Sequence, residues 1–238
     1  MKLIQFIRKG FFALLVGATA LVACSKDSDS PEVPKGNYGV FIGGVELTYE
    51  NYQNINSTNF PALKSGKITY DPIKHVLTLD GATISPTEKG VAAIRQPEGT
   101  TATLTIVLKN KNTLSSEKSS SIYVEDANLR ITGDKGTLII TKDKNFESIY
   151  AKEDLTLEGG CSIVADDMIA VSNTLTINRA NVHVTEKSYP AFRVYGEINL
   201  IGCKVVIPEG AKKGKYNGYN TFVKDHKICK EVKIEISK

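Results

Sequence analysis

The sequence predicts an all-β protein that folds as a parallel β-helix of about six coils, with a cap at each end. A short apolar–polar–apolar triplet recurs at intervals of 20–27 residues between positions 77 and 200. The residues around each triplet are β-branched or aliphatic and alternate with period two, which is typical of strands. After residue 37, no long stretch has the i, i+3, i+4, i+7 apolar spacing of an amphipathic helix.

Each repeat contains three short predicted strands. The triplets are Leu77–Leu79, Leu104–Ile106, Leu129–Ile131, Leu155–Leu157, Leu175–Ile177 and Ile198–Leu200. A second strand precedes most of them, at Ile122–Val124, Ile149–Ala151, Ile169–Val171 and Phe192–Val194. A third strand follows, at Leu138–Ile140, Ser162–Ala165, Val182–Val184 and Val205–Ile207. Three strands per repeat predict one coil of a solenoid, whose inward side chains form a core only when coils stack. The near copies SIYVEDANLRITG (121–133) and SIYAKEDLTLEGG (148–160) are then neighbouring coils.

An antiparallel β-sandwich is the competing architecture, because it also consists of short alternating strands. It does not require one triplet to recur in register, or small residues to recur at one turn as Cys161, Ala180 and Cys203 do. We therefore favour the β-helix. The ends of a solenoid must be covered, and the segments that depart from the repeat predict an N-terminal cap at 37–63, coils at 64–208 and a C-terminal cap at 209–238.

Residues 1–23 are predicted to be an export signal. A basic start precedes the apolar run Phe11–Ala23, which is too short to span a bilayer as a helix. The last three residues of the run and Cys24 form LVAC, which resembles a bacterial lipobox and predicts cleavage before Cys24 and acylation of its thiol. An ordinary cleavage site is the alternative. Residues 24–36 are polar and contain two prolines, so they are predicted to be a flexible tether.

Location and charge narrow the range of partners. Asp27 and Asp29 resemble the signal that sends Bacteroidota lipoproteins to the outer face of the outer membrane, although a solvated linker carries such charges too. We expect an outer-membrane protein, lipid-anchored and facing the cell exterior. The full chain has a net charge of +4, of which residues 1–23 supply three positive charges and no negative one. Without residues 1–23 the net charge is about +1 (4 − 3), which argues against nucleic acid as a partner.

The remaining cysteines have two interpretations. No C-x-x-C pair occurs, so a zinc site is not predicted. A Cys203–Cys229 disulfide would suit an oxidising compartment. Buried free cysteines that act as small apolar residues are equally consistent with the sequence.

Several segments resemble one family. A lipobox is followed by GGVELTYEN at 43–51, by SGKITYDPIKHVLTLDGATIS at 65–85 and by the SIY, LTL, IAV and LTI coils. Together they resemble the carbohydrate-binding domain-containing surface lipoproteins of gut and cellulolytic bacteria, over nearly all of residues 38–207. The resemblance implies a right-handed parallel β-helix and polysaccharide binding, with acidic, pectin-like glycans and calcium associated with some members. No defined set of ligand residues matches.

An outward tyrosine row is the candidate binding surface. Tyr123 and Tyr150 occupy the same position in adjacent coils, so their rings are expected to stack ~4.8 Å apart. Arg193 lies further along this face, with Tyr195 nearby. Aromatic rings stack on sugars, and an arginine holds a carboxylate in a fork. The alternative is an exterior aromatic ladder that only stabilises the sheet.

A calcium-dependent polysaccharide lyase is a less favoured interpretation, because few long insertions are present to build a cleft. Its base would be Arg193. Candidate calcium ligands are Asp154, Asp166 and Asp167 for a lyase, and Glu125, Asp126 and Glu153 beside the tyrosine row. The sequence therefore leaves open whether the protein binds calcium, and it predicts no other cofactor.

The sequence thus predicts a non-catalytic glycan-binding or adhesion module of the cell surface. Its predicted partners are a polysaccharide or surface glycan and, through the lipid anchor, the membrane. The first alternative is a structural scaffold that binds other proteins through its regular sheets.

Overall fold

The described part of the chain consists of strands and turns. The structure, a computed structural model, describes residues 31–142, 146–186 and 189–237. These ranges contain no helix, and about 54% of the structure is strand. In the same ranges, no helix has the length and apolarity needed to cross a membrane. Val33–Lys238 forms one compact unit with its own hydrophobic core, as expected of a part that can fold alone. The predicted signal, Cys24 and positions 25–30 of the tether lie outside the described residues.

Three parallel stacks of strands build a solenoid of about five turns, which confirms the predicted parallel β-helix. The first stack contains β5 (Ile94–Gln96), β8 (Ile122–Val124), β11 (Ile149–Ala151), β14 (Ile169–Val171) and β17 (Phe192–Val194). The second contains the first half of β4 (Val76–Ile84), then β6 (Leu104–Lys109), β9 (Leu129–Thr132), β12 (Leu155–Glu158), β15 (Leu175–Asn178) and β18 (Ile198–Ile201). The third contains the end of β4, then β7 (Lys111–Ser116), β10 (Thr137–Lys142), β13 (Ser162–Ala165) and β16 (Asn181–Thr185).

The register of the second stack follows the predicted triplets from the second triplet onward. Their first members are successive partners, in the order Leu104, Leu129, Leu155, Leu175 and Ile198. The first triplet is displaced by two residues, because Thr78 pairs with Val107 and not with Thr105. A shift of two keeps the same side chains inward, since strand side chains alternate with period two. The hydrophobic pattern alone therefore did not distinguish the two registers.

Antiparallel strands close both ends. The N-terminal cap contains β1 (Asn37–Ile42), β2 (Val45–Thr48) and β3 (Leu63–Asp71). The C-terminal cap contains β19 (Cys203–Ile207), β20 (Lys212–Tyr216), β21 (Tyr219–Lys224), β22 (Lys227–Ile228) and β23 (Glu231–Ile236).

The parallel coils are shorter than the predicted range 64–208. β3, expected in the first coil, pairs antiparallel with β4. β19, expected as the third strand of the last coil, pairs antiparallel with β23, and β23 lies between it and β16. The tail thus takes the place at which another parallel strand would have stacked.

The core runs along the solenoid axis. Inward triplet residues such as Leu104, Ile106, Leu155 and Leu157 have no exposed surface. Burying one such side chain stabilises the fold by about 1.5–3 kcal/mol. The solenoid therefore derives its stability from repeated inward columns, which no single coil can complete alone.

The three described cysteines are free thiols, so a Cys203–Cys229 disulfide is not formed. Cys161 and Cys229 are buried. Desolvation raises the pKa of the Cys161 thiol to about 11. Cys161 and Cys229 therefore act as small apolar core residues, as the second interpretation held.

Candidate functional site

Phe41 of β1 and one outward residue from each strand of the first stack form a continuous row, which we call the outer row. In spatial order its members are Phe41, Arg95, Tyr123, Tyr150, Ala170 and Arg193. Each residue is the register partner of the next, antiparallel between Phe41 and Arg95 and parallel along the rest of the row, so strand pairing brings together positions that are far apart in the sequence. Of these residues, the sequence predicted Tyr123, Tyr150 and Arg193 as ligand-binding residues.

Tyr123 and Tyr150 stack as predicted. Their ring centroids lie 5.0 Å apart and the ring planes differ by 18°. Each ring covers one face of the other, and both residues are half-buried. The pair therefore presents ring edges and hydroxyl groups along the sheet, and each ring has only one face that the other ring does not cover. This geometry suits a stabilising ladder and restricts sugar stacking to those ends.

Arg95 occupies the end of the ladder next to Tyr123. Its Cζ lies 6.0 Å from the Tyr123 ring centroid, at the limit of a cation–π contact. Its Nη2 lies 3.5 Å from Glu125 Oε2, and 49% of its side chain is exposed. A guanidinium carries five N–H donors, so Arg95 keeps donors for a ligand.

A pocket of about 310 Å³ opens beside Arg95, and we call it the row pocket. Its lining residues are Phe41, Gly44, Gly90, Val91, Ala92, Arg95, Ser119 and Tyr123. Gly44 and Gly90 have φ angles of 89° and 81°, where glycine is favoured. Two irregular segments line the pocket beside the regular coils. They are the turn after β1, which contains Gly44, and residues 90–92 before β5. It combines two aromatic rings, one cation and small residues.

Arg193 is already committed to a partner inside the protein. Its Nη2 lies 2.5 Å from Glu147 Oε1, and 30% of the arginine side chain and 20% of the glutamate side chain are exposed. Ser120 Oγ donates a second hydrogen bond to Glu147. The pairing weakens the predicted role of Arg193 in holding a sugar carboxylate, and equally its role as a lyase base.

Tyr195, which directly follows β17, lies in a second aromatic group. Its ring contacts that of Tyr219 edge-on at 6.2 Å, and Tyr219 contacts Tyr216 at 5.8 Å. Tyr195 is 57% exposed and Tyr216 42% exposed. The sequence did not reveal this group, because β20 and β21 join the sheet antiparallel and lie outside the repeat.

The acidic residues beside the outer row are held by internal hydrogen bonds. Glu125 accepts from the Tyr123 hydroxyl and from the Glu98 main-chain N–H. Asp126 accepts from the Gly99 N–H at 3.1 Å and from Lys152 Nζ at 3.1 Å. The Gly99 bond, followed by the Lys152 bond, lowers the pKa of Asp126.

The predicted calcium ligands do not form a cation site with one another. Asp154 accepts from the Thr174 N–H, and Asp167 accepts from the Met168 N–H. Across 31–142, 146–186 and 189–237, no group of three or more His, Cys, Asp or Glu side chains is placed to hold a metal ion.

Arg95 and Phe41 are the site residues that sequence reasoning missed. Ile94-Arg95-Gln96 pairs in register with Ile122-Tyr123-Val124, one coil earlier, so the repeat contained a signal for Arg95. Phe41 had no such signal, because β1 joins β5 antiparallel.

Comparison of the chain with protein-family models, curated proteins and solved structures found no match. The family resemblance described above therefore stays a prediction.

Proposed function

We propose that this protein is a non-catalytic glycan-binding or adhesion module of the cell surface. Its binding site is the row pocket, whose lining includes Arg95 and Tyr123, together with Tyr150, which stacks on Tyr123. The observation that carries the proposal is the row pocket, where Phe41 and Tyr123 meet the exposed guanidinium of Arg95 in a volume of about 310 Å³. Small-ligand sites are concave, mostly apolar and equipped with a few placed polar groups.

The chemistry of the pocket suits a sugar ring. Sugars combine apolar C–H faces with hydroxyl groups, and the pocket offers aromatic surface beside hydrogen-bond donors. Partial burial and then the nearby Glu125 carboxylate raise the pKa of Tyr123, so its hydroxyl stays protonated at neutral pH. The pocket volume lies at the lower end of the range for ligand sites, which favours one ring of a longer glycan.

A surface location of this module is supported by the lipobox-like LVAC segment and the polar tether that follows it. Cys24 would carry the lipid, and the solenoid would extend from the outer face of the outer membrane. A glycan site on such a module would serve capture or adhesion.

The experiment is a glycan array with Val33–Lys238, run once with calcium and once with chelator. Binding under both conditions is the expected result, because within the described residues no group of three or more His, Cys, Asp or Glu side chains is placed to hold a metal ion. Binding lost only in chelator would move the site to the acidic turns. A blank array under both conditions would overturn the proposal.

A protein-interaction scaffold is the second candidate, and one observation favours it. Arg193, Asp126 and Lys152, which lie along or beside the outer row, are paired within the protein. A face whose charges are satisfied internally suits sheet stability more than ligand capture. The blank array described above, together with retained folding, would favour this candidate.

A further inference from the structure

The carboxylate of Glu125 contacts both polar side chains of the row pocket, Arg95 and Tyr123. Its Oε1 accepts a hydrogen bond of 3.2 Å from the Tyr123 hydroxyl, and its Oε2 lies 3.5 Å from Arg95 Nη2. Oε2 also accepts from the Glu98 main-chain N–H at 3.2 Å, which helps to fix the carboxylate in place. Only 16% of the Glu125 side chain is exposed, so salt screens its charge less than that of a free surface carboxylate.

This contact orients the Tyr123 hydroxyl. A tyrosine hydroxyl has a single O–H, and here that proton is donated to Glu125. Toward a ligand, the phenolic oxygen can therefore only accept a hydrogen bond. A sugar hydroxyl can supply the proton for that bond, whereas an ionised carboxylate has no proton to donate.

The charged side chains around Glu125 carry more negative than positive charge. Glu125 pairs with Arg95. Beside this pair, Lys152 Nζ lies 3.1 Å from Asp126 Oδ1 and 3.2 Å from Glu98 Oε1. The network therefore contains two cations and three carboxylates. Because like charges brought together at an interface suppress binding, this network disfavours an anionic ligand.

The remaining residues of the pocket do not offset this charge. Arg95 is the one charged residue of the lining, and its counter-charge is already in place. Next to Gly90 and Ser119, which also line the pocket, positions 88–89 and 117–118 hold two glutamates and two lysines and add no net charge. An uncharged ligand can accept from the remaining N–H donors of Arg95 without displacing Glu125.

We infer that Glu125 makes the row pocket selective for neutral sugars over acidic sugars. It acts through Arg95, whose charge it offsets, and through Tyr123, whose hydroxyl proton it accepts. This inference rests on the proposed glycan-binding function and names the class of glycan that the site takes. The sequence resemblance associates acidic glycans with some members of the family, and the charges of this site favour the opposite class.

The test compares pairs of trisaccharides that differ only at carbon 6, which carries a hydroxymethyl group in one member and a carboxylate in the other. The pairs are built from glucose and glucuronate, galactose and galacturonate, and mannose and mannuronate. Each is titrated into Val33–Lys238 by calorimetry, in chelator and at about 0.05 M salt, where screening is weak. We expect at least one neutral trisaccharide to bind about tenfold more tightly than its acidic partner.

Glu125→Gln should reduce this preference about tenfold, because it removes the carboxylate beside Arg95 and keeps a side chain of similar size. Glu158→Gln is the matched control. Glu158 pairs with Arg130 on the second stack, and 18% of its side chain is exposed, close to the value for Glu125. The control should leave the preference unchanged, and circular dichroism would verify that both variants are folded.

Salt provides a measurement on the wild type that needs no substitution. Raising the salt from about 0.05 M to about 0.5 M should strengthen binding of the acidic trisaccharide relative to its neutral partner, because screening weakens the repulsion. The affinity for the neutral trisaccharide should stay within about twofold, since that ligand carries no charge.

Tighter binding of an acidic trisaccharide than of its neutral partner would overturn the inference and leave the proposed function intact. A preference that is unchanged in Glu125→Gln and independent of salt would also overturn it. Binding of none of the six trisaccharides would overturn the inference as well, and the glycan array would then decide the proposed function separately.

Discussion

The rings of Tyr123 and Tyr150 lie 5.0 Å apart and nearly parallel because the two residues are direct partners in adjacent parallel strands. Both tyrosines occupy one position of the repeat, and Tyr123 also lines the candidate site. The same register that stacks the two tyrosines places Arg95 against Tyr123 and, through Phe41, forms the row pocket. Solenoid stability and the proposed ligand recognition therefore share side chains on this face, and the predictions below separate the two roles.

Removing one ring of the stacked pair should destabilise the solenoid. Tyr150→Ala is expected to lower the free energy of unfolding by about 1–2 kcal/mol, because it loses the ring stacking and part of the buried ring area. Tyr150→Phe keeps the ring and should stay within about 0.5 kcal/mol of the wild type. Urea denaturation of the three proteins measures the difference. Equal losses in both variants would mean that the hydroxyl, not the stacked ring, stabilises this position.

The ion pair between Arg193 and Glu147 should stabilise the fold. Glu147→Gln and Arg193→Met are each expected to cost about 1–2 kcal/mol, since each leaves a partly buried partner without its counter-charge. A double-mutant cycle should give a coupling of about 1 kcal/mol. Glu117→Gln, which disrupts the exposed pair with Lys89, is the control and should change stability by less than about 0.5 kcal/mol. Additive single effects in the cycle would show that the Arg193 pair adds no stability.

His75 should make stability depend on mildly acidic pH. Its Nδ1 lies 2.6 Å from the Tyr70 hydroxyl, and burial lowers the pKa of the imidazole. The unfolded chain takes up a proton near pH ~6.5, where the folded chain does not. The stability that neutral His75 contributes to the folded state is therefore fully present above about pH 6.5, and it decreases as the pH falls below that value.

Urea midpoints measured on both sides of about pH 6.5 test this prediction. His75→Gln should flatten the wild-type slope, whereas His226→Gln should not, because His226 is exposed. A wild-type slope equal to that of His75→Gln would contradict the assignment.

Stability should depend on inward residues far more than on outward residues of the same strand. Leu157→Ala removes a fully buried side chain from the middle of the stack and is expected to cost about 2–5 kcal/mol. Thr156→Ala, on the outward face of the same strand, should cost less than about 0.5 kcal/mol. Thermal or urea unfolding of both variants makes the comparison. Similar losses would contradict the inward assignment of Leu157.

The repeat predicted the stacks because each coil obeys the same rule, apolar inward and polar outward. The strands Ile122–Val124 and Ile149–Ala151 therefore have the bounds that the sequence indicated. The rule has period two, so it did not detect the two-residue displacement of Thr78. The rule also did not predict the strand direction at β3 and β19, because an alternating pattern suits an antiparallel partner as well as a parallel one.

The candidate site was predictable only where it lies within the repeat. Tyr123 and Tyr150 were found because equivalent positions of a parallel stack must meet. The commitment of Arg193 to Glu147 depends on a side chain 46 residues away in a loop, which no periodic pattern encodes. The row pocket likewise depends on Phe41 and Gly44, which the N-terminal cap places beside the coils.

The most direct test of the glycan-binding proposal is calorimetric titration of the strongest glycan from the array into the wild type, Arg95→Ala, Tyr123→Ala and Thr156→Ala. We expect Arg95→Ala and Tyr123→Ala to weaken binding by about tenfold or more, which corresponds to at least about 1.4 kcal/mol. Thr156→Ala, on a different stack, should bind as the wild type does. Wild-type affinity in all three variants would contradict the assignment of the site to the row pocket and the outer row.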